Sequence, residues 1–274
     1  MNISKVVALT AVPVVVAGLA LSAGSRSHGR PRLSSPALST PAHSGVGIPV
    51  PGQGKINGPM NQVEFLNWSG YADHAATAYS KVSASWVEPL GVCTHGNQAQ
   101  YVSFWVGLDG YSDASVEQDG TLIACSGKTT EYTAWYEMYP APTEAFSDRV
   151  KPGDHLTSSV IYGGVAFTGG SNYTLVTSDT TRHWTQTVQA TNAWAVRSSA
   201  EVIVEAPVSA ETGAILPLAD FSPATFSSAA IDGTMIGRTS PTKIVMAGTN
   251  RVPKDAVSSI RGGNRFTATW LRSG

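Results

Sequence analysis

The chain has 274 residues, a formal net charge of −1 and only 14% charged residues. That balance leaves no basic patch of the kind nucleic acid requires. Six scattered histidines, none paired with another ligand at metal spacing, give no reason to expect a metal or other cofactor.

In chain order, Lys5 precedes an apolar run over residues 6–21, and small residues follow from Ser22 to Ser25. A cationic start, an apolar stretch and a small-residue exit read as a secretory signal peptide over residues 1–23. The run is shorter than the roughly 20 apolar residues a bilayer core requires, and Pro13 interrupts it. No other segment is apolar enough to span a membrane, so an extracellular, secreted protein is expected. Residues 24–62 are dense in Ser, Pro, Gly and Ala and cannot bury enough surface to offset their ordering entropy. They read as a linker or a pro-segment. Aromatic residues are regular from Phe65 onward, which places one folded domain at 63–274.

From there the chain reads as strand, turn, strand. Residues 81–87 alternate, with Val82, Ala84 and Trp86 on one face. The run 101–108 is rich in β-formers and ends at Asp109-Gly110; residues 130–139 alternate aromatic and smaller side chains and end at Pro140. Further strands are expected at 155–162, 173–178, 184–188, 200–205 and 266–271, and Pro152-Gly153 marks a tight turn. No segment shows a helical period with caps at both ends. The fold class is all-β, an antiparallel sandwich or barrel. In an exported protein Cys93 and Cys125 are expected to form a disulfide.

Several common mechanisms are absent. There is no Gly-x-Ser-x-Gly elbow, no His-Glu-x-x-His zinc helix and no phosphate-binding glycine loop. The strings Asp119-Gly120-Thr121 and Asp232-Gly233-Thr234 have the wrong order for an aspartic peptidase and read as turns. What remains is carboxylates and amides on a β scaffold. Alternation over 200–205 puts Glu201, Ile203 and Glu205 on one face, and a carboxylate ending an apolar strand suits acid–base work. The same pattern also fits two solvated glutamates, and Val116-Glu117-Gln118-Asp119-Gly120 passes as an ordinary turn. Pattern alone does not reach a function.

Seven strings read in order go further. They are Asn67-Trp68-Ser69-Gly70-Tyr71-Ala72, Ser83-Ala84-Ser85-Trp86-Val87-Glu88-Pro89, Phe104-Trp105-Val106-Gly107-Leu108-Asp109-Gly110 and Val116-Glu117-Gln118-Asp119-Gly120-Thr121. Ala134-Trp135-Tyr136-Glu137-Met138-Tyr139-Pro140, Ala200-Glu201-Val202-Ile203-Val204-Glu205 and Leu218-Ala219-Asp220-Phe221-Ser222-Pro223-Ala224-Thr225-Phe226 complete the series. Together they resemble the glutamic peptidase (eqolisin) family, known best from acid-secreting fungi and also present in bacteria; this chain reads as a bacterial-type member. The resemblance implies a sandwich of two curved antiparallel sheets of the concanavalin-like or jelly-roll type. It implies an acid endopeptidase, monomeric and without a cofactor, acting on polypeptides. Its catalytic pair is a glutamine and a glutamate on neighbouring strands of the concave sheet, which here are Gln118 and Glu205. Trp105, Asp109 and Glu137 match family positions that line or support the cleft, with Tyr136 and Phe221 from neighbouring motifs as further substrate-binding candidates.

The chain departs from the family pattern where Leu122 and Ile123 follow the glutamine in place of an acidic residue, and its pI near 6.6 is less acidic than the fungal members. Two other readings use the same scaffold. A carbohydrate-binding module would use Trp68, Trp86, Trp105 and Trp135 as stacking platforms. A glycoside hydrolase would use Glu137 and Glu205 as its two carboxylates. Neither needs Gln118.

Overall fold

The computed structural model describes residues 45–52, 62–74, 78–93, 98–167 and 169–274. The expected signal peptide and most of the 24–62 stretch lie outside those residues. The strands, in chain order, begin with β1 (Gln62–Phe65), β2 (Trp68–Asp73), β3 (Lys81–Val87), β4 (Gly91–Val92), β5 (Gln100–Leu108) and β6 (Val116–Ser126). The middle of the chain supplies β7 (Thr129–Tyr139), β8 (Glu144–Arg149), β9 (His155–Val165), β10 (Ser171–Asp179), β11 (Trp184–Asn192) and β12 (Ala200–Glu205). The last are β13 (Asp220–Phe221), β14 (Ala224–Ile231), β15 (Thr234–Met235), β16 (Thr242–Met246), β17 (Asp255–Val257) and β18 (Phe266–Trp270). One short 3-10 turn, Ile236–Arg238, is the only helical element among the described residues.

Two large sheets carry the fold. The first runs β1-β16-β2-β12-β5-β6-β7-β8, the second β11-β10-β9-β3-β14-β18-β17 with β15 paired to β14. Every neighbouring pair in them is antiparallel except β1 and β16. The expected all-β sandwich is therefore what this chain forms.

The core lies between the sheets. On β5, Val102, Phe104, Val106 and Leu108 face inward; Phe104 meets Phe226 of the second sheet, which contacts Trp86 and Phe266. The second sheet is wetted on its far side: β3 alternates buried with half-buried or exposed positions, and β11 alternates half-buried with exposed ones. The first sheet differs. β2, β5 and β12 are buried at every position, so its outer face is covered too. A second apolar cluster occupies that face, with Phe65, Trp68, Trp105, Trp135 and Ile203 among its members. Part of its cover is residues 45–50, which sequence composition assigned to a linker or pro-segment.

Residues 116–120 are the first half of an 11-residue strand, not a turn. Their polar side chains mislead because both faces of β6 are buried and each acid is met by a partner. Glu117 accepts from Asn192 Nδ2 at 2.7 Å, and Asp119 accepts from Thr177 Oγ1 at 2.7 Å across the sandwich. The Asp232-Gly233 turn stands, with positive φ at both residues between β14 and β15. So does the Pro152-Gly153 turn, closed by Asp154 accepting from the Lys151 N–H. Cys93 and Cys125 are bonded and join the segment before β5 to the end of β6.

Candidate active site

The register of the first sheet builds a row of side chains on its outer face. Glu201 on β12 stands opposite Gly107 on β5, Gly107 opposite Gln118 on β6, and Gln118 opposite Glu137 on β7. Because side chains alternate, these residues share a face with Trp105, Trp135 and Ile203. Glu205 lies four residues farther along β12, opposite Trp68 and Ser103. The strands of Gln118 and Glu205 are not neighbours as expected; β5 lies between them.

Trp105 closes that gap. Its indole N–H donates to Glu205 Oε2 at 2.9 Å. The other end of the ring lies over Gly107, where an added Cβ would stand 2.8 Å from Trp105 Cζ3 and 3.3 Å from Gln118 Cβ. Gly120 on β6 lets the β5 backbone approach, since a Cβ there would meet the Phe104 carbonyl oxygen at 2.2 Å and the Trp105 Cβ at 2.6 Å. One indole therefore runs from Glu205 to Gly107, the residue opposite Gln118, and Gly107 is the glycine that its ring requires. Trp68 packs edge-on against it at 4.9 Å between centroids.

Burial pushes the Glu205 carboxyl up to about 7, partly offset by the nearby indole of Trp68 and the donors on Trp105 and Asn67. Asn67 Nδ2 is 3.4 Å from Glu205 Oε1. On the other side, Gln118 Nε2 donates to Glu137 Oε2 at 2.6 Å and Thr143 Oγ1 donates to Glu137 Oε1 at 3.0 Å. Glu137 is held well above the usual carboxylate range, first by burial and then by the charge of Glu205. Gln118 Oε1 is buried without a hydrogen-bond partner. Gln118, Glu137 and Glu205 are all 0% exposed.

The structure thus brings Gln118, Glu205, Trp105 and Glu137 to one face. Asp109, just past β5 with φ +71°, stands at the border of that region and accepts backbone N–H groups from Val196, Arg197 and Ser198. It organises the loop before β12, and its charge acts on Glu201 in the row. Two expected substrate contacts are corrected. Phe221 is buried between the sheets, edge-on to Phe104 at 5.4 Å, and Tyr136 takes the alternation opposite to Trp135 and Glu137 and stacks on Phe146 at 5.5 Å. Both belong to strands whose motif positions are legible, but alternation turns them away from the outer face.

Sequence reading missed Asn67 and Thr143 as site residues and gave Trp68 only a stacking role. Asn67 opens the first of the seven strings, which was the available signal. All four tryptophans proposed as glycan platforms are 2% exposed or less, and Trp86 faces the inter-sheet core. Among the described residues no cluster of His, Cys, Asp and Glu is arranged to hold a metal.

Comparison with known proteins points the same way as the geometry. The model of the Peptidase A4 family matches residues 66–270. Aspergillopepsin-2 of Aspergillus niger is 30% identical over 125 residues, 39% of this chain, and the chain spans 44% of that relative's length. The fold is similar to scytalido-glutamic peptidase solved with a transition state analog inhibitor, with TM-score 0.63 and 22% identity over 75% of this chain and 98% of that one. It is also similar to aspergilloglutamic peptidase from Aspergillus niger, with TM-score 0.53 and 25% identity over 63% of this chain and 99% of that one.

Proposed function

The chain belongs to the Peptidase A4 family, and from that premise we propose that it is a secreted glutamic endopeptidase, acting in acid, with Gln118 and Glu205 as its catalytic pair. The observation that carries this reading is a buried carboxyl and a buried amide on the outer face of the first sheet, with one indole running from Glu205 to Gly107 opposite Gln118. The disulfide suits an oxidising compartment, and among the described residues no helix is long and apolar enough to cross a membrane.

Burial holds the Glu205 carboxyl at about 7 while the face is covered; once that face opens to water the desolvation is relieved. Glu205, then a carboxylate in acid, takes a proton from a bound water while the water oxygen attacks the scissile carbonyl carbon. The carbonyl electrons move to oxygen, and an N–H of Gln118 stabilises the oxyanion. Glu205 then returns the proton to the peptide nitrogen, and the C–N bond breaks to give a carboxylic acid and an amine. The indole N–H of Trp105 and the amide of Asn67 fix the Glu205 oxygens and favour its charged form.

Glu137 supplies the acid dependence. Ionised, it holds Gln118 Nε2 away from the reacting carbonyl. Protonated, it donates to Gln118 Oε1, the oxygen that otherwise has no partner, and the rotated amide presents its N–H to the oxyanion. The test is the pH–rate profile of Glu137→Gln on denatured casein. A glutamine can donate to Gln118 Oε1 at any pH, so activity is expected to extend toward neutrality. An unchanged fall in rate with rising pH sinks this role.

A further inference from the structure

The outer face of the first sheet is a poor place for an open active site in this chain, because something already lies on it. Residues 45–50 cross that face from one bank to the other. Gly45, at φ +65°, is wedged where an added Cβ would stand 2.5 Å from Val116 Cγ1 and 2.8 Å from Tyr139 Cβ, on β6 and β7. Val116 and Tyr139 lie two residues from Gln118 and Glu137 on their strands. Farther on, Gly47 presses on Phe65 and Trp68, an added Cβ meeting the Phe65 ring at 2.2 Å. The segment then pairs with the start of the domain, Val50 N–H to Glu64 O at 3.0 Å and Leu66 N–H to Ile48 O at 2.7 Å.

Its backbone is held the way an extended peptide is held. Gly47 N–H donates to Gly110 O at 2.9 Å. The Asn67 amide accepts from Ile48 N–H at 2.8 Å through Oδ1 and donates to Val46 O at 3.0 Å through Nδ2. That two-point grip reads only main chain, so it is indifferent to side-chain identity. The same Nδ2 reaches Glu205 Oε1. A grip on main chain next to the proposed base is what a peptidase needs for its substrate, yet here it is filled by the chain itself.

We propose that residues 45–50 are an intramolecular occupant of the peptide-binding cleft, and that Asn67 is the clamp that grips a substrate backbone once this strap leaves. The inference rests on the peptidase reading and goes beyond it by naming both the cleft's resident blocker and a substrate-positioning residue. Small residues at 45 and 47 are what let the strap lie flat, so enlarging either one evicts it without altering any strand of the sandwich.

The experiment compares the full chain with its Gly47→Val and Gly45→Val variants, which strike opposite banks. Each is measured for kcat and KM on denatured casein, and for calorimetric binding of an uncleavable reduced-amide octapeptide, after its melting curve confirms folding. Both variants are expected to bind the octapeptide at least about tenfold more tightly, with KM lowered to match and kcat little changed. A synthetic peptide of residues 43–52 added to either variant is expected to compete with the octapeptide, and adding Asn67→Ala to Gly47→Val is expected to weaken binding about tenfold. If folded variants bind and cleave like the parent chain, the strap is a structural part of the domain and the inference is overturned. If the binding gain appears while neither chain cuts casein, the strap inference stands and the peptidase reading fails.

Discussion

At the scale of single residues, Gln118 and Glu205 carry different loads. In the proposed mechanism Gln118→Ala removes the oxyanion donor, so kcat is expected to fall about 10²–10³-fold with the fold intact. Glu205→Gln removes the base and is expected to abolish turnover, as steady-state kinetics on a quenched-fluorescence peptide will report. Trp105→Phe keeps an aromatic ring on the same face and deletes the N–H that Glu205 accepts. With that favourable contact to the charged form gone, the Glu205 pKa is expected to rise further, and the acidic limb of the rate profile to move to higher pH. An acidic limb that stays in place would show that the indole N–H does not tune the base. The place of Glu205 at the end of an apolar strand was legible from alternation, while its burial was not, because the same pattern fits a solvated glutamate. Asn67 and Thr143 were not legible, since a lone polar side chain at a strand edge or in a loop carries no periodicity that marks it as a partner.

At the scale of elements, strand positions were mostly legible, and the reason is local. Residues 81–87, 101–108 and 200–205 alternate or run apolar between clear breakers, and they form β3, β5 and β12 within a residue of expectation. β6 failed that reading because the rule assumes that polar means exposed. Glu117, Asp119 and Thr121 are polar and buried, and meet Asn192, Thr177 and Glu88, with one carboxyl oxygen of each acid so bonded. Strand order was not legible either: β12 inserts between β2 and β5 from far along the chain, which leaves β5 between the strands of Glu205 and Gln118. The Cys93–Cys125 bond ties the entry of β5 to the exit of β6 and so fixes the register that sets Gln118 opposite Gly107. A closed loop with a sequence separation of 32 is worth roughly 3–4 kcal/mol through the unfolded state. A Cys93→Ser, Cys125→Ser double variant is expected to lose about that much in urea titrations at acid pH. A loss under about 1 kcal/mol would mean that the sheet alone holds the register.

At the scale of the whole molecule, the interior is dense in carboxyl groups whose burial holds their pKa up. Glu88, Glu205 and Asp255 are each raised to about 7 and Glu117 to about 9, while Asp119, Glu137 and Glu201 stand well above the usual range. In every case desolvation is the largest cause. A carboxyl raised above its unfolded value binds its proton more tightly in the folded chain, so stability is full below about pH 4 and declines as pH rises toward 7 and 9. Glu88 alone, moving from 4.5 to about 7, corresponds to roughly 3 kcal/mol. The melting temperature is therefore expected to be highest near pH 4 and lowest near pH 8, and a flat or rising profile over that range contradicts this account of the interior. Neither these burials nor the strap could be read from composition, because both arise from contacts between segments remote in sequence.

The most direct test of the central claim is digestion of denatured casein from about pH 2 to 7 by the parent chain, Glu205→Gln and Gln118→Ala, each freed of the strap by Gly47→Val. Acid-dependent cleavage that disappears in the first variant and falls about 10²–10³-fold in the second is the predicted result. Cleavage that proceeds equally in all three, with the fold intact, would contradict the assignment of these two side chains as the catalytic pair.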